Sequence, residues 1–347
     1  MTTYRETGRR RIADLSTMSS GELPHSSGSI KWIRDDDVRR LLTWDDLIKE
    51  VRQSLAAFSR GPDHPEGVVQ PLRSRIPVAD DGVMLVMPGL AKEQRALATK
   101  IVTVFGGNAS KGLSTHHALI LLMDTCTGVP LAILDGELIT EMRTAAASAV
   151  ATLELIEKKS NLIIGILGAG TQGRSHARVM SHIFKDCKIR IWSRKRESSQ
   201  ALAATLASEG IVTEVVMSVE EAVRDADIIN TCTMASQPIL KAEWVKPGAH
   251  INSVGAPSPD KQELEEELVR RATIYADSKV AANKESGDVI NAGASVYAEI
   301  GEVILQTQIA KKNGTTIFKS LGLAVEDAVS AHLVYNLLMQ ENKKWSP

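Results

Sequence analysis

The stretch NLIIGILGAGTQGRSHARVMSHIFKDCKIRIWSRKR, residues 161–196, reads as strand, glycine turn, helix and second strand. Its apolar run Asn161–Leu167 leads directly into Gly168-Ala169-Gly170-Thr171-Gln172-Gly173, and a helix-compatible segment follows. This is the G-x-G-x-x-G pattern in the context that gives it meaning. The first glycine permits a tight turn, the second lets backbone approach a pyrophosphate, and the third lets helix pack on strand. Free N–H groups at the helix start, around Thr171 and Gln172, add partial positive charge. A dinucleotide is the expected ligand.

The end of the second strand discriminates between dinucleotides. NAD-binding proteins usually place an acid there for the ribose 2′-hydroxyl, but this chain reads Ser193-Arg194-Lys195-Arg196. A hydroxyl and a run of cations suit a 2′-phosphate, so the expected cofactor is NADP(H). Taken alone, such a charge run is an ordinary solvated face.

Working outward, the second half alternates strand and helix. Strands are expected near 213–217, 227–233, 250–254 and 273–277, with helices near 198–208, 218–225 and 262–271. That predicts a doubly wound parallel sheet of Rossmann type. The run Glu265-Glu266-Glu267 reads as the solvent face of a helix. After Gly301 a helix over EVILQTQIAKK is expected, then a final helix at 323–338 that needs a partner for its apolar face.

The first half has another rhythm. A helix is expected over 44–58, with Leu47, Val51, Leu55 and Phe58 at helical spacing and Thr43 as its cap. Short β-like runs follow at 73–78, 83–87, 100–105, 118–123 and 131–134, the last two flanking a hairpin turn at Asp124–Gly128. An Ala-rich helix at 144–155 connects to the glycine motif. Clustered strands before any β-α alternation predict a separate α+β domain. The expected division is a tail at 1–29, a split domain from 30–145 and 320–347, and a nucleotide domain at 146–319.

Composition narrows the function classes. The chain has 347 residues, 43% hydrophobic and 24% charged, with net charge −1. That is an ordinary soluble composition with no basic field for nucleic acid or an anionic membrane. No apolar run is long enough to span a bilayer. Cys126, Cys187 and Cys232 lack C-x-x-C spacing and read as reduced, buried thiols of a cytoplasmic protein. Residues 1–29 are polar and arginine-containing, fitting a flexible tail, with a transit peptide as the alternative.

Three cations sit where charge is unexpected: Arg73 at a strand start, Lys100 opening KIVTVF, and Arg143 heading the Ala-rich helix. Arginines can hold a carboxylate by paired N–H bonds, and a lysine adds a point charge or a proton. Singly, each also reads as a solvated or salt-bridged side chain. His116 and His117 are adjacent, so on a strand they face opposite ways; one buried, satisfied histidine is the plain expectation. No spacing suits a metal, and no G-x-S-x-G elbow is present.

These residues fall within longer strings: QPLRSRIPV (70–78), ATKIVTVF (98–105), ILDGELITEMRTAAASA (133–149), GILGAGTQGRSH (165–176), RIWSR (190–194), EWVKPGAHINSVGA (243–256), KESGDV (284–289) and FKSLGLAVED (318–327). With them the chain resembles the ornithine cyclodeaminase/mu-crystallin family over roughly residues 31–340. The resemblance implies a homodimer whose split domain binds substrate. It places Arg73, Lys100 and Arg143 on the substrate carboxylate, with Arg143 also near the cofactor, and makes Glu285 a ligand contact. Thr115 and His116 fall toward the nicotinamide; Ser193, Arg194 and Lys195 toward the 2′-phosphate; and Ser198 toward the adenosine end. Thr233, Met234, Val254 and Ser320 are implied cofactor contacts beside Gly168, Gly170, Thr171 and Gln172.

One departure bears on activity. Cyclodeaminases of the family carry an aspartate shortly after the glycine of the strand-five loop, whereas this chain reads Val254-Gly255-Ala256-Pro257. Proline cannot move a proton, although Asp260 is nearby. The resemblance therefore implies NADPH-dependent reduction of a cyclic ketimine carboxylate, with thyroid hormone as a second ligand held by the same arginines. Two other readings stand beside it. One is a non-enzymatic NADPH-dependent hormone-binding or crystallin protein, and the other an ornithine cyclodeaminase or amino-acid dehydrogenase.

Overall fold

The computed structural model describes residues 30–78, 82–157 and 160–344. The expected tail at 1–29 lies outside them. In chain order the elements are β1 (Lys31–Ile33), α1 (Asp35–Leu41), α2 (Trp44–Arg60), β2 (Val68–Val69), β3 (Ser74–Pro77), β4 (Gly82–Ala91), β5 (Ala96–Phe105), β6 (His116–Met123), β7 (Pro130–Asp135) and α3 (Glu137–Leu155). There follow β8 (Ile163–Leu167), α4 (Thr171–Ile183), β9 (Lys188–Trp192), α5 (Arg196–Ser208), β10 (Thr213–Val215), α6 (Val219–Val223), β11 (Ile228–Thr231), β12 (His250–Ser253) and α7 (Glu266–Arg271). The chain ends with β13 (Thr273–Ala276), α8 (Lys279–Glu285), α9 (Gly287–Ala292), β14 (Ala298–Glu299), α10 (Ile300–Ile304), β15 (Thr316–Lys319) and α11 (Ala324–Lys344).

Two sheets result. The first runs β1-β7-β6-β5-β4-β2, with β3 also on β4; only β1–β7 is parallel. The second runs β10-β9-β8-β11-β12-β15-β13-β14 and is parallel throughout. The fold is thus α/β, a Rossmann-type sheet beside a mixed one. Chain order reverses direction between β8 and β11, which opens a crevice at their C-terminal ends, where such sheets bind ligands.

The final helix returns to the first sheet. α11 packs on β4, β5 and α2, and its Val325, Ala328, Val329 and Val334 share one core with Leu47, Val51, Leu55, Ala98 and Ile120. Strand β5 shows why. Its alternation puts Ala96, Ala98, Lys100 and Val102 on the face α11 covers, and leaves Ile101 43% exposed on the other.

Several expectations are corrected. The helix carrying Arg143 begins at Glu137, so Arg143 lies a turn and a half inside it, buried. Lys100 does not open its strand but sits in its middle. The helix expected over EVILQTQIAKK stops at Ile304, because Thr307 and Gln308 both turn their N–H groups back to the Glu302 carbonyl and Gln306 adopts φ 58. Helix α7 starts at Glu266, since Leu264 is drawn into a bridge with Leu240; Glu265 precedes it and accepts the Ala242 N–H at 2.7 Å. Cys126 is exposed in the hairpin turn rather than buried, and all three cysteines are unpaired. Neither His116 nor His117 is buried, and His117 reaches out to Glu137 at 2.8 Å. Among the described residues no helix is long and apolar enough to cross a membrane.

Candidate active site

The crevice at the glycine motif is built for a close-approaching anionic group. Gly168 adopts φ +112, and a Cβ there would stand 2.6 Å from the Cys232 carbonyl, so β8 and β11 need glycine at their closest approach. A Cβ on Gly173 would fall 1.9 Å from the Gly168 carbonyl. Gly170, in contrast, faces open space, and as the N-cap of α4 it offers no side-chain partner to the N–H groups at the helix start. Those donors are left for a ligand. Two buried polar atoms beside this crevice, Gln172 Oε1 and Ser320 Oγ, also lack partners among the described residues. The residues present fit a dinucleotide.

At the rim, Ser193 Oγ donates to the Lys195 carbonyl and shares a 2.7 Å hydrogen bond with Ser199 Oγ. Arg194, Lys195 and Arg196 are exposed, and none forms an ion pair among the described residues. Ser198 lies in the first turn of α5. Across the crevice, Thr233 and Val254 follow the ends of β11 and β12, and Met234 is 57% exposed.

The strand ends are braced from below. Glu263, fully buried, accepts from Thr231 Oγ1, Thr233 N and Thr233 Oγ1 at 2.6–2.7 Å. Burial, then the neighbouring Asp288 carboxylate, pushes its pKa up to about 7. Lys319 bridges Ser253, Gly255 and Asp288.

The three cations converge. Lys100 Nζ lies 2.7 Å from Asp327 Oδ2, and Arg143 Nε lies 2.9 Å from Asp327 Oδ1, so one carboxylate joins two cations. Arg143 also pairs with Glu326 at 2.9 Å. Arg73 donates to the carbonyls of Leu321 and Gly322 at 2.9 Å and pairs with Glu285 at 3.2 Å. Asp277 holds that turn from the other side, accepting the N–H groups of Leu321 and Gly322 at 2.6 Å. The turn follows Ser320 directly, so the cation cluster and the nucleotide sheet meet at residues 320–322.

These charges are buried at a cost that only mutual pairing offsets. Desolvation, then the Arg143 charge, brings the Lys100 pKa down to about 8. Partial desolvation and the Lys100 charge lower that of His116, whose Nδ1 lies 2.9 Å from Thr115 Oγ1 at the edge of the cluster. Each cation keeps donors in reserve: Lys100 spends one on Asp327 and one on Thr140, at 3.4 Å, while Arg143 NH2 and Arg73 NH1 have no partner among the described residues. A cavity of about 370 Å³ opens beside Arg73, lined by Phe58, Pro71, Leu72, Met87 and Leu323.

Sequence reasoning missed the acids Asp277, Glu326 and Asp327. A signal existed, since Glu326-Asp327 interrupts the apolar run LGLAV as Lys100 interrupts its strand. Asp260 has no bond to Arg73, Lys100 or Arg143 among the described residues. It is exposed and bonded to Ser258 Oγ at 2.6 Å, and that bond lowers its pKa, leaving it a weak base; Pro257 is exposed as well.

Comparison with known proteins agrees in sequence and in shape. The chain is 47% identical over 291 residues to ketimine reductase mu-crystallin of Mus musculus, covering 84% of this chain and 91% of the relative. It is 32% identical over 315 residues to a Delta(1)-pyrroline-2-carboxylate reductase of Bacillus cereus, covering 87% and 95%. A solved Delta(1)-pyrroline-2-carboxylate reductase from Thermococcus litoralis, in complex with NADH and L-proline, superposes with a TM-score of 0.85 at 33% identity, covering 90% of this chain and 98% of that one. An archaeal alanine dehydrogenase dimer with bound NAD superposes at 0.82 with 28% identity, covering 90% and 97%. With the family model matching residues 32–342, the chain belongs to the ornithine cyclodeaminase/mu-crystallin family.

Proposed function

We propose that this protein is an NADPH-dependent ketimine reductase that converts cyclic ketimine carboxylates to cyclic amino acids. The observation that carries this reading is the meeting of Arg73, Lys100 and Arg143 with the nucleotide sheet at residues 320–322. Relatives named as ketimine and pyrroline-2-carboxylate reductases support imine reduction, and the solved relatives with NADH or NAD bound support a nicotinamide cofactor. The choice of NADPH rests on Ser193, Arg194 and Lys195 standing where an acid would repel a 2′-phosphate.

Gly168, Gly170, Thr171 and Gln172 would hold the pyrophosphate, with Ser198, Thr233, Met234, Val254 and Ser320 along the rest of the dinucleotide and Thr115 and His116 toward its nicotinamide. When bound, the dinucleotide supplies a hydride. The free donors of Arg73, Arg143 and Lys100 fix the substrate carboxylate, which holds the neighbouring C=N carbon in near-attack geometry. Lys100, cationic below about pH 8, orients that carboxylate or, as an ammonium acid, donates the proton that the imine nitrogen takes up. Hydride goes to carbon, and the ring nitrogen ends with one proton more than the neutral imine. Glu285, through Arg73, borders the ligand.

We assign residues 30–145 and 320–347 to substrate binding and dimerisation and 146–319 to the nucleotide. The homodimer reading is supported by the outward face of the first sheet, where Ile101 and Leu119 are paired across β5 and β6 and stand 43% and 45% exposed, with Ile76 at 44%. The cavity beside Arg73 favours a second ligand, since its mixed apolar and polar lining next to a guanidinium suits the rings and the carboxylate of an iodothyronine. Such binding would inhibit reduction.

The test is loss of reduced-nicotinamide absorbance with NADPH and piperideine-2-carboxylate, against ornithine plus NAD. Oxidation with the ketimine alone supports the reading. Ammonia release from ornithine would replace it with cyclodeamination, and silence in both with a binding protein.

A further inference from the structure

The cation cluster carries more acid than it needs. Around Arg73, Lys100 and Arg143 stand Glu285, Asp277, Glu326 and Asp327. With every group ionised, the acids exceed the cations by one. A carboxylate ligand would raise the excess to two in a region where Lys100, Arg143, Asp277, Glu326 and Asp327 are all buried. Charge repulsion in such surroundings is relieved by protonating one acid.

Geometry selects which acid. Asp327 is held between Lys100 and Arg143, and Asp277 accepts three backbone N–H groups, from Ser278, Leu321 and Gly322. Glu285 is partly exposed. Among the described residues Glu326, fully buried, has one cation, Arg143, which it shares with Asp327, and its Oε1 lacks a partner. The groups facing it are Arg143 from α3, Asp277 from the end of β13, the Leu323 backbone, and Asp327 on its own helix. Arg73 lies beyond Asp277, Lys100 beyond Asp327, and His116 beyond Lys100.

We propose that Glu326 takes up a proton when a carboxylate ligand binds Arg73, Lys100 and Arg143, acting through Arg143 as a positioning residue that keeps the site from accumulating negative charge. This rests on the carboxylate-site reading above. Burial, only partly offset by Arg143, already lifts Glu326 to about 7 in the free protein, so a further negative charge finds it half protonated near neutrality. The linkage makes carboxylate affinity weaken as pH rises through 7.

The experiment is calorimetric titration of the NADPH-loaded protein with pyrrole-2-carboxylate, a planar acid with no basic nitrogen, in phosphate and in Tris at about pH 7, where Lys100 is still charged. The wild type is expected to take up about half a proton per ligand bound, and Glu326→Gln to bind with uptake near zero. Infrared difference spectra of the wild type should gain a protonated-carboxyl band on ligand addition, a readout that does not depend on the variant folding. Equal uptake in both proteins, or binding without uptake or band, overturns the proposal while leaving the carboxylate site intact. No binding by the wild type overturns both.

Discussion

Lys100 and Asp327 face each other at 2.7 Å with side chains 2% and 1% exposed, one from the middle of β5 and the other from the first turn of α11. The pair is asymmetric. If Lys100 is lost, Asp327 keeps Arg143 at 2.9 Å; if Asp327 is lost, Arg143 keeps Glu326 but Lys100 is left a buried cation without its carboxylate. Asp327→Asn is therefore expected to cost about 3–5 kcal/mol, and Lys100→Met clearly less. Denaturant unfolding of the two variants reads this directly, and equal losses would contradict it. Both should lose ketimine turnover.

Lys100 also sets a pH limit. Its pKa is brought down to about 8, first by burial and then by Arg143. The charged form binds carboxylate, so kcat/KM for a ketimine should fall as pH rises through about 8. Lys100→Arg, which keeps its charge throughout, should remove the limb at about 8 and leave only the earlier weakening through about 7 that Glu326 brings, even if its maximum is lower. A profile with the same limb in the variant would assign it to another group.

Much of this was readable beforehand, for physical reasons that differ by region. The nucleotide sheet was legible because its strands are apolar runs punctuated by glycine, with Gly168 and Gly173 at positions where no Cβ fits. The cations were visible as misplaced charges. Their partners were not, since Asp327 lies far from Lys100 in sequence and reaches it only when α11 folds back on β5, and Asp277 meets the cluster only through the turn at Leu321 and Gly322. Helix ends such as Ile304 were hidden for a related reason: Glu302 closes the turn by backbone bonds that no side-chain pattern announces.

The glycine motif separates folding from binding. Gly170→Ala has room for its methyl group and an ordinary φ of −85. It should unfold within about 1 kcal/mol of the wild type yet bind dinucleotide at least ~10-fold more weakly, because the methyl occupies the ligand's approach. Gly173→Ala should lose stability outright, its Cβ colliding with the Gly168 carbonyl. Melting curves and cofactor fluorescence titration of the two variants check the contrast.

Cofactor choice is tested at Arg194. Its side chain is exposed and without an ion-pair partner among the described residues, so Arg194→Ala should leave stability nearly unchanged. A charge-assisted hydrogen bond contributes about 1.5–3 kcal/mol, which predicts about 10- to 100-fold weaker NADPH binding and little change for NADH. Equal losses for both would mean that Arg194 does not touch the 2′-phosphate.

Gly322 tests the link between the cations and the turn. It adopts φ +81, and a Cβ there would stand 2.3 Å from Arg143 NH1, while its carbonyl holds Arg73 and its N–H is held by Asp277. Gly322→Ala thus strains the backbone and pushes Arg143 off Glu326 in one step. KM for the ketimine should rise and stability fall by about 1–3 kcal/mol. Restoring space with Arg143→Lys in the same chain should recover part of the stability but not the binding, since a lysine cannot reproduce the forked contacts to Glu326 and Asp327 while leaving donors for a ligand.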